Sequence, residues 1–328
     1  SKIANALIRA AENGKKVVCL LELRARFDEQ SNIDYAEALE KAGCTILYGL
    51  DEYKTHAKLC LITRVVHGRV STITQIGTGN YNEKTAEQYT DLMLITPNAE
   101  IGRAANKIFA SLCIGEIPAR SRTLWVAPQG FKSDILALIA AEIERQKEFA
   151  DGYIFIKVNS MNDMDIMRAL IKASQAGDKI NLLIRGICCL RPGVEGYSEN
   201  ITVRSLVGRY LEHSRIFVFG RGERARMFLG SGDLLNRNTA RRVEVFVEAT
   251  SDKVRRLLGQ IIDAAWQDTV NGWQMLANGR YMHLPFAEMP FNSHSYLQEF
   301  FCPPAPAATP HKSWLQRVQQ RWQKEKRL

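Results

Sequence analysis

Helical and strand patterns alternate along most of the chain. Near its start, apolar residues recur at helical spacing over residues 2–13 and stop at Gly14, and a largely apolar run at 17–23 is typical of a buried parallel strand. A helix over about residues 32–42 and a strand at 44–48 follow. This alternation predicts an α/β fold in which helices flank mixed, mostly parallel sheets.

The helix and strand at the start of the chain recur further along as a second copy. Residues 169–184 repeat the pattern of residues 6–21, including the glycine between helix and strand, at an offset of 163 residues. In the second copy an apparent strand at 153–158 precedes the helix, whereas the first copy has nothing before Ser1. We therefore expect two α/β domains related by duplication, in a fragment of a longer protein whose first domain lacks its opening strand.

Breaks in the pattern divide the chain into three predicted segments. A linker after Ile117-Pro118 separates a first domain at residues 1–120 from a second at 121–300. Residues 301–328 are predicted to be a Pro-rich spacer and a basic tail, whose tryptophans fall at helical spacing. We expect an amphipathic tail helix that docks on the body or on a sister subunit, the alternative being a membrane-surface or nucleic-acid arm.

Composition narrows the class of protein. With 46% hydrophobic and 24% charged residues the chain is typical of a globular protein. The formal net charge is +9, but the basic tail contributes more than half of it, so the charge of the body alone does not identify a polyanion partner. Seven cysteines without a CxxC pair indicate free thiols. Because no signal peptide or long apolar run is evident, we expect a soluble, cytoplasmic protein.

A histidine with a basic residue two positions on, followed by a Gly-Thr/Ser-Gly turn, also occurs twice. The two copies are His56 and Lys58 with the turn at 77–80, and His213 and Arg215 with the turn at 230–233. The histidines are 157 residues apart, close to the offset of the repeat. We therefore expect both copies to meet in one cleft between the domains, where two imidazoles among fixed cations suit chemistry on a phosphoryl group.

These residue types suggest a division of work. Neutral imidazole can attack phosphorus, while the second histidine handles the proton of the oxygen that leaves or enters. Alternation along a predicted strand at 55–63 places His56 and Lys58 on one face, and Lys58, Arg215 and Arg185 would neutralise phosphoryl oxygens. The glycine turns, the first of which ends in Asn80, would present N–H groups to a phosphate, because glycine tolerates the φ angles of a nest.

Two carboxylates and two arginines leave alternatives open. Asp91 and Glu244 close the two copies, and each either orients a histidine or pairs with a neighbouring base. Arg24 and Arg26 follow the first predicted strand, at the edge where open α/β sheets bind ligands, although an exposed arginine is more often a solvated charge.

The doubled histidine pattern resembles the phospholipase D superfamily, in which two half-sites join in one active site. That family places an aspartate five residues after the lysine, where this chain has Thr63 and Gly220. Six segments in order are more specifically similar to the catalytic C-terminal half of bacterial polyphosphate kinases of the histidine-phosphorylating type, over about residues 1–290. These segments are 22–29, 54–58, 76–82, 89–91, 184–193 and 211–215.

The resemblance implies reversible transfer of the terminal phosphate of ATP to polyphosphate through a phosphohistidine, with Mg²⁺ as cofactor. His56 matches the phosphorylated position and His213 the second active-site histidine. Tyr89 and Arg185 match nucleotide-contacting positions, and Arg26 matches an arginine at the magnesium–phosphate site. Because an arginine cannot ligate a cation, Arg26 is expected to bind a phosphate oxygen beside the metal.

The resemblance also implies partners and leaves rival functions. ATP or ADP and inorganic polyphosphate are the expected partners, with a homo-oligomer in the full-length protein, no nucleic acid, and at most peripheral membrane contact. The family's amino-terminal and helical domains are not in this sequence, so we expect the fragment alone to be weakly active or inactive. The alternatives are a phospholipase D-like phosphodiesterase or nuclease, and a polyanion-binding module without turnover.

Overall fold

A computed structural model describes residues 1–22, 29–284 and 289–303, without the side chains of residues 29–32. The α-helices are α1 (Lys2–Glu12), α2 (Glu29–Lys41), α3 (Glu83–Gln88), α4 (Ala99–Cys113), α5 (Phe131–Phe149), α6 (Met164–Ala176), α7 (Asn236–Ala240), α8 (Asp252–Gln267) and α9 (Ser293–Phe301). The strands are β1 (Val18–Leu20), β2 (Thr45–Leu47), β3 (Lys54–Thr55), β4 (Lys58–Val66), β5 (Arg69–Gly77), β6 (Tyr89–Thr90), β7 (Met93–Thr96), β8 (Leu124–Ala127), β9 (Tyr153–Val158), β10 (Lys179–Ile184), β11 (Ile201–Leu206), β12 (Leu211–Glu212), β13 (Arg215–Phe219), β14 (Arg226–Gly230), β15 (Arg242–Glu248), β16 (Gly272–Met275) and β17 (Tyr281–His283).

The predicted repeat is a repeat of structure. Helix α1 is followed by Gly14 at φ +74° and strand β1, and helix α6 is followed by Gly177 at φ +100° and strand β10. Both glycines adopt the left-handed conformation that ends a helix without a Cβ penalty. The α/β class with helices beside mixed sheets is confirmed. It was predictable because local apolar spacing and a terminating glycine suffice to define each helix–strand unit.

The main sheet has the order β17-β16-β11-β10-β9-β13-β14-β15-β3, and β8 also pairs with β15. Strands β9, β10 and β11 are parallel, but antiparallel pairs surround them. The prediction of mostly parallel sheets is therefore wrong. The reason is visible between β13 and β14, where the connection at 220–225 is too short for the crossover that parallel strands need.

Helices cover both faces of this sheet. On one face, α5 and α6 bury an aromatic cluster in which the rings of Phe131 and Phe246 stack at 4.6 Å between centroids. On the other face, α4 and α8 pack on a second cluster that includes Ile76 of the first copy and Val243 of the second. The two copies thus share a hydrophobic core, which holds them in a fixed relation.

The first copy contributes smaller sheets, with β1 and β2 parallel and β4, β5 and β7 antiparallel. Over the residues given above, no helix is both long enough and apolar enough to cross a membrane. Most of the tail, from residue 304 onward, lies outside the described residues, so its amphipathic helix stays a prediction, as do the domain boundaries.

Two helical glycines predict opposite effects of an added methyl group. A Cβ on Gly102 in α4 would lie 2.8 Å from the Thr72 Cβ, whereas a Cβ on Gly259 in α8 meets nothing within 4 Å. We expect Gly102→Ala to lower the free energy of unfolding by about 1–3 kcal/mol through overpacking. Gly259→Ala, the matched control, should raise it by about 0.5–1 kcal/mol. Urea unfolding measures both, and equal effects would contradict this packing.

Candidate active site

His56 lies at the point where the chain changes strand partner. Strand β3 ends one residue before it and pairs with β15, whereas β4 begins two residues after it and pairs with β5. The backbone N–H groups of His56 and Ala57 both donate to the Val243 carbonyl, each at 2.9 Å. His56 therefore does not share a strand face with Lys58 as predicted. Instead, the buried Lys58 ammonium donates a hydrogen bond to the His56 backbone carbonyl and so helps to fix the histidine backbone.

The His56 ring is held by a carboxylate of the second copy. Its Nδ1 lies 2.9 Å from one oxygen of Glu244 and 3.0 Å from the other. Glu244 is fully buried, and it also accepts hydrogen bonds from the Ser231 hydroxyl at 2.5 Å and the Asn238 amide at 2.6 Å. Because an ionised carboxylate only accepts, the His56 proton lies on Nδ1, which leaves the lone pair on Nε2.

His213 is held in the same way by a carboxylate of the first copy. Its Nδ1 lies 2.9 Å from both oxygens of Asp91, and the Thr78 hydroxyl donates to Asp91 at 2.6 Å. Each histidine thus contacts the carboxylate of the other copy. That carboxylate also accepts a hydrogen bond from the hydroxyl in the glycine turn of its own copy, Ser231 for Glu244 and Thr78 for Asp91. The sequence left open whether Asp91 and Glu244 orient the histidines or pair with neighbouring bases. In the structure, both contact the histidines.

The glycines of these turns make room for the carboxylates. A Cβ on Gly79 would lie 2.1 Å from an Asp91 oxygen, and a Cβ on Gly232 would lie 3.1 Å from the Glu244 Cγ. Within these two turns, both fully described, no glycine has a positive φ angle. The predicted phosphate nest is therefore wrong, because close packing and not backbone conformation requires glycine here. Asn80, at the end of the first turn, is exposed.

Two very short strands place the histidines across the repeats. Strand β3, just before His56, pairs in parallel with β15, which carries Glu244. Strand β12, just before His213, pairs in parallel with β6, which ends just before Asp91. The same pairing on both sides explains why the two half-sites have matching geometry.

Burial and neighbouring charges set the protonation of both histidines. Burial lowers the pKa of His56 to about 4, with Glu244 opposing and Lys58 and Arg215 adding to the decrease. Burial also lowers the pKa of His213, where Arg215 and Lys58 again contribute and Asp91 opposes. Each histidine is therefore influenced by the cations of both copies, and both rings are neutral at pH 7.

The two cations are fixed differently. Burial lowers the pKa of Lys58 to about 7, so its charge depends on a nearby anion. Arg215 is buried and makes two bonds of 3.2 Å to the Asp233 carboxylate, while its Nη1 donates to the His213 carbonyl at 2.8 Å. Arginine keeps its proton in proteins, so Arg215 is the permanent positive charge of the pair.

Two further predicted residues, Arg185 and Tyr89, lie at this site, and Arg185 contacts Asn159, which the sequence did not single out. Asn159 follows the buried strand β9, and its backbone N–H and side-chain amide both donate to Asp233, at 2.8 and 3.0 Å. Its side-chain Oδ1 accepts from the Arg185 Nε at 2.6 Å. The ring of Tyr89 lies 4.9 Å from that of His213. Arg185 and Tyr89 thus lie beside the second half-site.

Other predicted and missed residues need separate mention. Arg24 and Arg26 lie outside the described residues. Thr78 and Ser231 were visible only as the middle residues of the turns, and the role of Asn238 had no visible pattern. A small polar residue between two glycines was the clue to Thr78 and Ser231, since buried polar groups require partners.

The carboxylates near the histidines are already paired. Asp91 and Glu244 contact histidines, and Asp233 binds Arg215. Across residues 1–22, 29–284 and 289–303, no group of three or more His, Cys, Asp or Glu residues is arranged to hold a metal ion. A magnesium site built from protein ligands alone therefore does not fit the described residues.

Family models match nearly the whole described chain. The model for polyphosphate kinase C-terminal domain 1 matches residues 1–116, and that for C-terminal domain 2 matches residues 124–293. The chain belongs to the polyphosphate kinase family. The resemblance carried by the six sequence segments is thus confirmed.

Individual polyphosphate kinases agree with this assignment. One from Staphylococcus epidermidis is 41% identical over 299 residues, which cover 91% of this chain and 41% of the relative. One from Mycolicibacterium gilvum is 44% identical over 285 residues, covering 87% and 39%. The crystal structure of polyphosphate kinase from Porphyromonas gingivalis matches with a TM-score of 0.84 and 34% identity, over 92% of this chain and 46% of that one. This chain thus spans about two fifths of the length of these curated relatives.

The contact between His56 and Glu244 predicts a specific titration. In the unchanged chain, NMR of labelled histidine should show His56 neutral down to about pH 4. Glu244 raises the His56 pKa, so Glu244→Gln should lower that pKa further. Glu248→Gln, on the same strand but paired with Arg226 at the surface, is the control and should leave the titration unchanged. A His56 pKa that does not respond to Glu244→Gln would show that the pair does not control the ring.

Proposed function

We propose that this chain carries the catalytic site of an ATP:polyphosphate phosphotransferase that works through a phosphohistidine on His56. The observation that carries the proposal is the crossed pair of imidazoles, each neutral and fixed at Nδ1 by a carboxylate of the other copy. Membership of the polyphosphate kinase family supports ATP and polyphosphate as the substrates. Activity, substrates and partners of the whole protein are part of this proposal.

In the first step, the Nε2 lone pair of His56 attacks the γ-phosphorus of ATP. A P–N bond forms, and the bond from phosphorus to the bridging oxygen breaks, with its electron pair leaving on ADP. Nδ1 keeps its proton throughout, so the positive charge that develops on the ring faces the Glu244 carboxylate at 2.9 Å. Burial alone would raise the pKa of Glu244, but His56 and Lys58 lower it to about 2, which keeps this carboxylate ionised.

In the second step, a terminal oxygen of polyphosphate attacks the same phosphorus. The P–N bond breaks, neutral His56 returns, and the polyphosphate chain is one phosphate longer. The neutral form of His213 has its lone pair on Nε2, so it can accept the proton of an entering phosphate hydroxyl or return it to a leaving oxygen. The reaction is reversible because the two steps together break one phosphoanhydride bond and form another.

The cations give the site its preference for phosphate. Arg215 is held by Asp233 and two backbone carbonyls, so it needs no rearrangement when the phosphoryl group arrives. A bound phosphate would favour the charged form of Lys58, whose pKa burial has lowered. We propose that Arg185 and Tyr89 contact the nucleotide, and that Asn80 and Arg26 contact phosphates.

Magnesium enters this proposal with the nucleotide. Mg²⁺ keeps several waters and is commonly bound through substrate phosphates and few protein groups, which agrees with carboxylates that are already paired. The other partners stay proposals of the same kind: a homo-oligomer in the full-length protein, no nucleic acid, and a cytoplasmic location.

The nucleophile can be tested by labelling. With γ-labelled ATP and magnesium, the full-length protein should incorporate label that is acid-labile and base-stable, as a phosphoramidate is. His56→Ala should remove at least about 99% of this label, since it deletes the attacking atom. His67→Asn changes an exposed histidine in the β4–β5 turn at φ +50°, which asparagine tolerates, and should incorporate label like the unchanged chain.

The result for His56→Ala decides the assignment. Label retained in that variant would reject His56 as the nucleophile. Release of nucleotide or alcohol ends from a phosphodiester without ATP would instead favour the phosphodiesterase function. Polyphosphate binding without any label transfer would favour a binding module.

The magnesium proposal predicts a dependence on nucleotide. Isothermal titration of MgCl₂ into the nucleotide-free chain should give no saturable binding below about 1 mM, because few protein oxygens are available. The same titration in the presence of saturating ADP should exceed the heat of a protein-free ADP control. Micromolar binding without nucleotide would mean that the protein itself holds the metal.

A further inference from the structure

A buried ion cluster lies directly behind His213. Glu212 is 7% exposed, Lys157 is 2% exposed and His294 is 4% exposed. The Lys157 ammonium lies 2.8 Å from the Glu212 carboxylate, and the His294 Nε2 lies 2.8 Å from the other oxygen of that carboxylate. Burying such groups is expensive unless they are paired, so their position next to a proposed catalytic histidine requires an explanation.

The hydrogen bonds define the protonation of the cluster. The Tyr210 backbone N–H donates to the His294 Nδ1 at 3.3 Å, so that nitrogen carries the lone pair. Nε2 therefore carries the proton and donates to Glu212, and His294 is neutral. Burial alone would raise the pKa of Glu212, but Lys157 and His294 lower it to about 2. The cluster thus pairs the ionised Glu212 carboxylate with the Lys157 ammonium.

The cluster holds residues on both sides of the His213–Asp91 pair. Glu212 accepts from the Thr90 hydroxyl at 3.1 Å, and Thr90 directly precedes Asp91 in the chain. Lys157 donates to the Ser214 carbonyl at 3.1 Å and to its hydroxyl at 2.8 Å. The neighbours of the histidine and of its carboxylate are therefore tied to the same buried group.

The residue before the histidine differs between the half-sites. Thr55 precedes His56 where Glu212 precedes His213, and within the described chain the buried Thr55 hydroxyl has no hydrogen-bond partner, while the Thr55 N–H donates to the Glu22 carboxylate at 3.2 Å. The residue opposite Thr55 is Val243, in the place that Thr90 takes opposite Glu212. A buried carboxylate directly before the histidine of one copy and a threonine in the other is a difference that the duplicated fold itself does not require.

We propose that Glu212 is the positioning residue of the His213 half-site. Held between Lys157 and His294, it aligns His213 with Asp91, keeps the His213 proton on Nδ1, and makes helix α9, which carries His294, part of the catalytic unit. The consequence for turnover rests on the proposed phosphotransferase function. The consequence for the His213 tautomer does not.

The test separates positioning from stability. Glu212→Met leaves the Lys157 charge buried and unpaired, so this variant should be destabilised. Glu212→Met with Lys157→Met removes both charges and should regain most of the lost stability. If Glu212 positions His213, the double variant should still lose the single Nδ1–H state in the ¹⁵N imidazole spectrum, with His213 assigned through His213→Asn. Its kcat should fall about tenfold or more, with KM for ATP within about twofold.

A second ion pair on the other end of β9 serves as the control. Arg224 donates to Glu142 at 2.8 Å, and Glu142 also accepts from the Tyr153 N–H at the start of this strand. Glu142 is buried, but the Arg224 side chain is 29% exposed. Glu142→Met, alone and with Arg224→Met, should therefore change stability less and leave the His213 tautomer and kcat unchanged.

Each outcome decides the proposal. An unchanged His213 tautomer in the stabilised double variant, with kcat regained, would overturn it and make the cluster purely structural. An altered tautomer would support positioning even if the unchanged chain shows no phosphotransfer, in which case only the proposed function fails. Should the double variant not fold, Thr90→Val removes the hydroxyl that donates to Glu212 at 3.1 Å and accepts from the His213 backbone N–H at 3.4 Å. It should alter the tautomer in the same direction, and no change would overturn the proposal.

Discussion

The site depends on one interaction made twice, the bond from a histidine Nδ1 to a carboxylate of the other copy. Because His56 needs Glu244 and His213 needs Asp91, neither copy contains a complete half-site. The bond forms only if the two copies keep a fixed relation, which their shared core and the β3–β15 and β12–β6 pairings provide. The packing of the core and the chemistry of the site therefore both require the two copies to keep one relative position.

Burial in this site has two opposite effects on charge. It lowers the pKa of His56 to about 4 and that of Lys58 to about 7, which favours the neutral nucleophile but weakens a cation. The carboxylates stay ionised because each accepts hydrogen bonds from a histidine and a hydroxyl. In the proposed function, a phosphoryl group entering this site supplies a negative charge that favours the charged form of Lys58, whereas Arg215 is already paired with Asp233.

Local features of this fold were predictable from sequence and non-local ones were not. The α1–Gly14–β1 unit and its repeat follow from apolar spacing within some twenty residues, and the repeat revealed the paired histidines. Glu244, the partner of His56, lies 188 residues away on strand β15, and β15 pairs with the two-residue strand β3 of the first copy. Residue spacing therefore carries no information about this contact. The prediction of a phosphate nest at Gly79 failed because a glycine can be required either by a left-handed backbone or by lack of room for a Cβ. Only the neighbouring atoms distinguish these two requirements. Lys157 inside the apolar strand β9 was the one readable sign of the buried cluster.

The differences between the half-sites argue for different tasks. In the proposed phosphotransfer the nucleophile must hold a positive charge while it is phosphorylated. Glu244 is suited to balance that charge, because Ser231 and Asn238 hold this carboxylate by hydrogen bonds in addition to the one from the histidine. A proton-transferring histidine instead needs one tautomer at one angle, and the charges behind His213 hold the backbone on both sides of the ring. Duplication explains why there are two imidazoles. The residues behind each imidazole, Thr55 in one copy and Glu212 in the other, support the proposal that the two do different work.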